Sequence, residues 1–207
     1  MIKSGFQRAG GGNMRYILAS GSPRRRELFS KVVPEYEVIP AVGEEATTKE
    51  LPSEIVEELS YQKASEIFYK NLTDSGDGLV VIGSDTVVSY NHRVLGKPAD
   101  RAEAADMVRM LQGQTHSVYT GVTLFYRSGG EDKSFTFSEC TDVHVAPMTE
   151  EEITAYVSTG ESDDKAGAYG IQGQFAIYIS GINGDYYNVV GLPVARLYKE
   201  MRDHGLL

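Results

Sequence analysis

A turn of small residues followed by three consecutive arginines lies near the start of the chain, between a predicted strand and a predicted helix. Residues 20–26 have the sequence SGSPRRR. The hydroxyls of Ser20 and Ser22 are hydrogen-bond donors, and each guanidinium group can offer two donors to phosphate oxygens. The structural alternative is a capped helix with a solvated basic first turn, but three cations at a helix N-terminus oppose the helix dipole. The pattern therefore favours phosphate binding.

Acidic residues at two other places suggest chemistry with metal ions or water. Asp85 follows a Gly-Ser pair after the apolar run 79–82, where we expect a corner between two strands. Ligand sites in α/β sheets usually lie where strands end, so this carboxylate can hold a divalent cation or polarise a water molecule. An aspartate that closes a turn through its own backbone explains the pattern equally well. The pair Glu44-Glu45 is typical of a solvated surface, with a metal site as the less common interpretation.

Lysines and a glycine-rich stretch supply further polar groups. Lys97 lies on a short turn between a glycine and a proline, and Lys63 lies beside the apolar stripe of a predicted helix. Taken alone, each is typical of an exposed lysine. Residues 164–173 differ, because three glycines in seven positions alternate with Lys165, a tyrosine and Gln172. Such a loop lets a ligand approach the backbone, and the Gln172 amide can both donate to and accept from a nucleobase.

The elements that must position these residues alternate between strands and helices. Apolar runs predict strands, and apolar residues at helical spacing predict helices. The predicted strands are 16–19, 36–39, 79–82, 86–89, 116–126, 133–145 and 175–180. The predicted helices are about 22–31, 52–71, 104–112, 149–159 and 193–204, the fourth beginning with the capping-box pair Thr149 and Glu152. Because 116–126 and 133–145 form an antiparallel pair, the fold class is α/β with a mixed sheet.

The composition is that of a globular chain of 207 residues with a net charge of −9. Overall negative charge opposes binding to nucleic acids and anionic membranes, so we expect neither partner. The single cysteine excludes an intrachain disulfide, and no apolar run reaches the roughly 18 residues of a membrane helix. Residues 1–13 are expected to be a disordered extension, and residues 14–207 a single domain. Since no segment has the pattern of a signal peptide, we expect a cytoplasmic location.

Several stretches of the chain together match the motifs of one known family. In chain order they are LASGSPRRREL (18–28), GSDTVV (83–88), GKP (96–98), HSV (116–118), TGV (120–122), KAGAYGIQG (165–173) and YYNVVGLP (186–193). With these stretches the chain resembles the Maf (septum formation inhibitor-like) nucleotide pyrophosphatases. The resemblance runs from about Arg15 to the C-terminus, and the combination is specific although each piece is weak alone.

The resemblance implies a metal-dependent hydrolysis of nucleoside triphosphates to the monophosphate and pyrophosphate. It also implies a long mixed, twisted sheet flanked by helices with a central cleft, similar to the fold of inosine triphosphate pyrophosphatases, and a homodimer. By motif, Asp85 matches the proton acceptor for the attacking water, and Glu45 with Asp85 matches the ligands of Mg²⁺ or Mn²⁺. The residues that match substrate-binding positions are Ser20, Arg24, Arg25, Lys63, Thr86, Lys97, Lys165 and Gln172, among which Arg24, Thr86 and Gln172 match positions that shape substrate choice.

The form of residues 165–173 resembles the subgroup that acts on dTTP and UTP, with modified pyrimidine nucleotides as further candidate substrates. Two other functions compete with this interpretation. One is a nucleotide-binding regulator of septation or cell division with little or no hydrolysis. The other is a phosphohydrolase that acts on a different phosphate ester, such as a sugar nucleotide. The presence of Ser20, Arg24, Asp85, Lys97 and Lys165 together favours the pyrophosphatase.

Overall fold

The structure, a computed structural model, describes residues 14–73 and 78–207. Over these ranges, strands and helices alternate much as the sequence predicts. The strands are β1 (Arg15–Leu18), β2 (Glu37–Val38), β3 (Leu79–Tyr90), β4 (Arg93–Leu95), β5 (Thr115–Ser128), β6 (Glu131–Val145) and β7 (Ile179–Asn183). The helices are α1 (Pro23–Phe29), α2 (Pro52–Asn71), α3 (Arg101–Leu111), α4 (Glu150–Ser158), α5 (Tyr186–Val190) and α6 (Val194–Asp203). Two 3-10 helices, Ala166–Ala168 and Gln174–Tyr178, lie between α4 and β7.

The strands form one mixed sheet in the order β2-β1-β3-β5-β6-β7, with β4 also paired to β3. β1 runs parallel to β2 and β3, whereas β5, β6 and β7 continue the sheet in antiparallel pairs. The long antiparallel pair predicted around residues 128–130 is therefore confirmed, and so is the mixed α/β class. The prediction that residues 1–13 are disordered concerns residues outside the described ranges.

Helix α2 packs against one face of β3 and β5 at unusually short distance. An added Cβ at Gly83 would lie 2.3 Å from the Ser60 carbonyl oxygen, and one at Gly121 would lie 2.2 Å from the Val56 carbonyl oxygen. No Cβ fits at such distances, so these two glycines let the helix backbone approach the sheet. Below them, Ala64, Ile67 and Phe68 of α2 join a buried cluster with apolar residues of β1, β3 and β5.

The opposite face of the sheet is covered by two groups of helices. Leu28 and Phe29 of α1 and Leu197 and Met201 of α6 pack with the apolar residues that β1, β3 and β5 present on that side. Helices α3 and α4 cover the other end of this face through a second buried cluster. At the start of α4, Thr149 and Glu152 form the predicted capping box, with reciprocal side-chain and backbone hydrogen bonds. The sheet is therefore flanked by helices on both faces.

Two local predictions are wrong. The corner expected around Asp85 does not exist, because Leu79–Tyr90 is one continuous strand. Gly83 allows α2 to approach the strand closely, and it does not form a turn. The strand predicted over 175–180 starts only at Ile179, since Gln174–Tyr178 is a 3-10 helix. In that turn Phe175 is fully buried while Ile177 is 80% exposed, so the apolar alternation does not reflect one buried face.

Among the residues that the structure describes, no helix combines the length and apolar character needed to span a bilayer.

Candidate active site

Asp85 lies in the middle of the central strand, beside a gap in the pairing along one edge. On that edge β1 pairs only with residues 79–82 of β3, and β4 pairs only with residues 88–90. On the other edge β5 pairs with residues 80–89 without interruption. Residues 83–87 therefore have one edge free of a neighbouring strand. The predicted corner is absent, but the site still lies where the parallel neighbour β1 ends.

A cavity of about 950 Å³ opens at this gap. Consecutive residues of a strand point to opposite faces of a sheet, yet Asp85 and Thr86 both line the cavity, which therefore reaches both faces. The predicted site residues that line it are Ser20, Arg24, Arg25, Glu45, Lys63, Asp85, Thr86, Lys97, Lys165 and Gln172. The structure thus brings these ten residues together on one cavity. The role of each of them stays a prediction.

On the α2 face of the sheet, one ammonium group lies between two carboxylates. Lys63 Nζ is 2.6 Å from Asp85 Oδ1 and 2.9 Å from Glu45 Oε2. The side chains of Lys63 and Asp85 are only 13% and 12% exposed, whereas Glu45 is 49% exposed. Partial burial strengthens the Lys63–Asp85 pair relative to a surface ion pair. The close approach of α2 to the sheet is what brings Lys63 to Asp85.

The two carboxylates fit a hard divalent cation such as Mg²⁺ or Mn²⁺. Mg²⁺ is typically held by one or two carboxylates together with water and substrate phosphates. Within the described ranges, no cluster of three or more His, Cys, Asp or Glu side chains could hold a metal by itself. Asp85 and Glu45 therefore suit a cation that arrives with a phosphate-bearing substrate better than a permanently bound one.

On the opposite face, Arg25 links the first turn of α1 to the strand and to a distant loop. Its Nε donates to the Gly191 carbonyl at 2.9 Å, and its Nη2 donates to Thr86 Oγ1 at 2.9 Å. Burial lowers the pKa of the Arg25 guanidinium, while the charge of Asp85 opposes this effect. The group nevertheless stays charged at neutral pH. Arg25 therefore holds Thr86 in place from a fixed, buried position.

Arg24 and Lys97 are cations on the cavity wall whose charges are not neutralised by a contact. No hydrogen bond or ion pair of either side chain is formed within residues 14–73 and 78–207, although both line the cavity. Arg24 lies next to Arg25 in the first turn of α1, and Lys97 follows β4 on the turn before α3. The third arginine of the run, Arg26, lies outside the cavity and donates to the Gly21 carbonyl at 3.2 Å. Two cations are thus available to bind an anion.

The glycine-rich loop joins the turn that carries Lys97. Gly167 N donates to the Gly96 carbonyl at 3.0 Å, and an added Cβ at Gly167 would lie 2.9 Å from Val88 Cγ2. Gly167 has a φ of 67°, so it needs glycine for its backbone as well as for space. This contact brings Lys97, Lys165 and Gln172 onto the same cavity although they are distant in sequence.

Sequence reasoning missed several residues that build the site. The Gly191 carbonyl accepts hydrogen bonds from Arg25 and from the buried Ser84 hydroxyl, yet only its place in the 186–193 motif marks it. Asp164 accepts from Lys165 Nζ at 2.8 Å, and this hydrogen bond lowers the pKa of the Asp164 carboxyl. Glu161 also lines the cavity. Glu161 lies in an ordinary acidic stretch that has no distinguishing local pattern. Asp164 begins the glycine-rich stretch 164–173, but nothing in that pattern marks its carboxylate as a partner of Lys165.

Several curated proteins are similar to this chain over nearly its whole length. A protein of Agathobacter rectalis named dTTP/UTP pyrophosphatase is 53% identical over 199 residues, which cover 92% of this chain and 97% of that protein. Proteins of the same name from Lachnoclostridium phytofermentans and Bacillus cytotoxicus are 46% and 47% identical. Their matches cover 92% and 91% of this chain and 95% and 94% of those proteins.

Likeness to a solved structure is much weaker. The Staphylococcus aureus Ham1 protein matches with a TM-score of 0.40 and 14% identity, over 64% of this chain and 72% of that one. This value is too low to support an inference, so the architecture rests on the strand order given above. The Maf-like protein family model, in contrast, matches residues 15–204, which include every residue that lines the cavity. The chain therefore belongs to the Maf-like protein family.

Proposed function

We propose that this chain hydrolyses nucleoside triphosphates to the monophosphate and pyrophosphate, with Mg²⁺ or Mn²⁺ as the cofactor. The substrates would be dTTP and UTP, including modified forms of these pyrimidine nucleotides. The observation that carries the proposal is that two carboxylates and the cations Arg24 and Lys97 line one cavity. The similar proteins named dTTP/UTP pyrophosphatase support the same substrates.

The cations would bind the triphosphate. A nucleoside triphosphate carries about four negative charges, and positively charged groups in a partly closed site stabilise both the bound substrate and the charge that develops on the leaving group. Arg24 and Lys97 can contact phosphate oxygens directly because neither is engaged in an ion pair with another described residue. Ser20 adds a hydroxyl donor to the lining of the cavity. Lys165 lies on the glycine-rich loop, where Asp164 holds its ammonium group.

The reaction would be attack of water on the α-phosphorus. A bond forms between the water oxygen and the α-phosphorus. The bond between the α-phosphorus and the oxygen that bridges it to the β-phosphorus breaks, and pyrophosphate leaves. Asp85 would accept the proton of the water. Only its Oδ1 is occupied, by Lys63, and Oδ2 makes no hydrogen bond within the described ranges. A divalent cation held by Glu45 and Asp85 would neutralise phosphate charge, and Lys63 would then exchange its carboxylate contacts for a phosphate oxygen.

The base would bind toward the glycine-rich loop. Gln172 is exposed at the cavity wall, where its amide can pair with the edge of a pyrimidine. A site that hydrogen-bonds a base rejects analogues without matching groups strongly, since unpaired polar groups are costly. Thr86, held by Arg25, would contact the nucleotide from the other side of the strand.

We also propose that the protein is a cytoplasmic homodimer. Light scattering would test the dimer, and cell fractionation would test the location.

The test measures pyrophosphate release from UTP, dTTP, CTP, GTP and ATP, with Mg²⁺, Mn²⁺ or EDTA. We expect release that needs a metal and favours UTP and dTTP. Asp85→Asn should reduce turnover by about 10²–10⁴-fold, the usual contribution of a general base, while binding of UTP stays measurable by calorimetry. Glu35→Gln, which changes an exposed carboxylate outside the cavity, is the control. Binding without any turnover would favour a regulatory nucleotide-binding protein, and release of orthophosphate would indicate a different phosphohydrolase.

A further inference from the structure

Glu161 ties together both ends of the loop that carries Lys165 and Gln172, here called the recognition loop (residues 161–174). Its carboxylate oxygen Oε2 accepts a hydrogen bond from Gln174 N at 2.7 Å, at the far end of the loop. Its backbone carbonyl accepts from Lys165 Nζ at 2.6 Å, near the beginning. A hydrogen bond to a charged carboxylate is stronger than one between neutral groups. One residue therefore closes the loop on itself.

Gly173 shows how tightly the Glu161 carboxylate fits against the loop. An added Cβ at Gly173 would lie 2.1 Å from Glu161 Oε1 and 2.3 Å from Oε2. The backbone of Gly173, with φ −98° and ψ −152°, is extended and allowed for other residues. The glycine is therefore needed for the space that the carboxylate fills and not for its own backbone conformation. Gly173 directly follows Gln172, so the carboxylate packs against the neighbour of the residue proposed to read the base.

The same loop contains a strained residue that the surrounding contacts must hold in place. Ala168 has a φ of 60°, in the left-handed region that residues with a Cβ avoid. The Tyr156 hydroxyl can donate to the Ala168 carbonyl at 3.2 Å and to Glu161 Oε1 at 3.5 Å. Burial, followed by the charge of Glu161, raises the pKa of Tyr156, so its hydroxyl remains a neutral donor. Glu161 thus belongs to the group of contacts that fixes the loop conformation.

We propose that Glu161 is a positioning residue that fixes Lys165 and Gln172 in the recognition loop and thereby sets the preference for pyrimidine over purine nucleotides. The part about preference rests on the proposed function. The Glu161 carboxylate faces Gln174 N and Gly173 of the loop and the Tyr156 hydroxyl of α4. This arrangement makes Glu161 a support for the loop and not a group that touches the phosphates.

The experiment is a double-mutant cycle with Glu161→Ala and Gly173→Ala, read out by kcat and KM for UTP and GTP and by hydrogen exchange of residues 165–173. Glu161→Ala should reduce the UTP-over-GTP ratio of kcat/KM roughly tenfold and speed exchange in the loop, since it removes a charge-assisted hydrogen bond. Glu161→Gln retains an acceptor and should stay within about threefold of the wild type. Glu35→Ala removes an exposed charge outside the recognition loop and outside the cavity, and it should leave both readouts unchanged.

The decisive result is how the two substitutions combine. Gly173→Ala alone should reduce the ratio about as much as Glu161→Ala, because its methyl group displaces the carboxylate. In the Glu161→Ala background the same methyl group meets no carboxylate, so it should have less than about a twofold further effect. Equal costs of Gly173→Ala in both backgrounds would overturn the proposal, as would an unchanged ratio and unchanged exchange in Glu161→Ala.

Hydrogen exchange separates this proposal from the proposed function. A wild-type protein without pyrophosphate release would refute the function and with it the part about nucleotide preference. The exchange rates of the same four proteins of the cycle would still decide the positioning part. Faster exchange in Glu161→Ala and Gly173→Ala, with no addition in the double variant, supports it, and additive or absent changes refute it.

Discussion

Replacing Gly83 with alanine tests whether the close packing of α2 on the sheet positions the candidate site. An added Cβ would lie 2.3 Å from the Ser60 carbonyl oxygen and 2.8 Å from Ala64 N. Ordinary contact begins at 3.4 Å, so the helix must move outward by the difference from 2.3 Å, which is about 1.1 Å. The obstructing atoms are helix backbone, which cannot rotate aside as a flexible side chain can. Such overpacking typically costs about 1–3 kcal/mol.

The displacement would also separate the ion pair at the site. Lys63 lies on the turn of α2 that contacts Gly83, and its Nζ is 2.6 Å from Asp85 Oδ1. An outward movement of about 1 Å lengthens this contact beyond a hydrogen bond, and a misplacement of that size can reduce a rate about 100-fold. We expect kcat/KM for UTP to fall by about that factor. The melting temperature should fall by roughly 2–4 °C for each kcal/mol lost.

The assay combines thermal unfolding with pyrophosphate release at a temperature where all variants are folded. Gly181→Ala on β7 is the matched control, because its Cβ would meet only His144 Cδ2 at an ordinary 3.5 Å. It should change neither stability nor turnover. If Gly83→Ala retains wild-type turnover in its folded state, the closeness of α2 does not position Lys63 and Asp85. If it also retains wild-type stability, the contact itself is not tight.

Three further predictions concern other parts of the molecule. Burial lowers the pKa of His116 to about 4, below its usual 6.5, so the folded state binds fewer protons between these values. Stability should then fall by up to about 3 kcal/mol as pH drops through that window, and melting curves of His116→Phe should show a smaller loss. Arg25→Lys cannot reach Thr86 and Gly191 together, and we expect kcat/KM for UTP to fall about tenfold or more, with purine turnover as the comparison. Thr149→Ala removes the capping box of α4 and should cost about 1 kcal/mol in denaturant unfolding without changing activity.

Local patterns in the sequence predict the elements well where one periodicity dominates. The long antiparallel strands, the helix Pro52–Asn71 and the capping box at Thr149 each follow from apolar spacing or cap residues within a short window. The error at Asp85 has a different cause. A glycine and a serine before an aspartate resemble a turn, but Gly83 is a glycine because a helix distant in sequence approaches it. No pattern around residue 83 contains that information.

The candidate site shows the same limit. The residue types at 20–26 and 165–173 indicate phosphate and base recognition, and the structure places them on one cavity. The hydrogen-bond partners of those residues do not follow from the sequence pattern. Arg25 donates to Gly191, a residue 166 positions away that lies between α5 and α6, so this contact depends on where the fold places those helices. Sequence spacing therefore identifies groups that can bind a nucleotide, whereas only the folded chain shows which of them are held and which face the cavity.

The open edge of β3 gives the site two sides that can be changed separately. Asp85 points toward α2, Lys63 and Glu45, and the next residue, Thr86, points toward Arg25 and Gly191 on the other face. Within the described residues, no hydrogen bond joins the Lys63–Asp85 pair to the Arg25–Thr86 pair. Changes around Asp85 should therefore act mainly on kcat, and changes around Thr86 mainly on the choice of nucleotide. The strand separates the effects on kcat from those on nucleotide choice because its consecutive side chains point to opposite faces. A single loop carrying both groups of residues would not separate these effects.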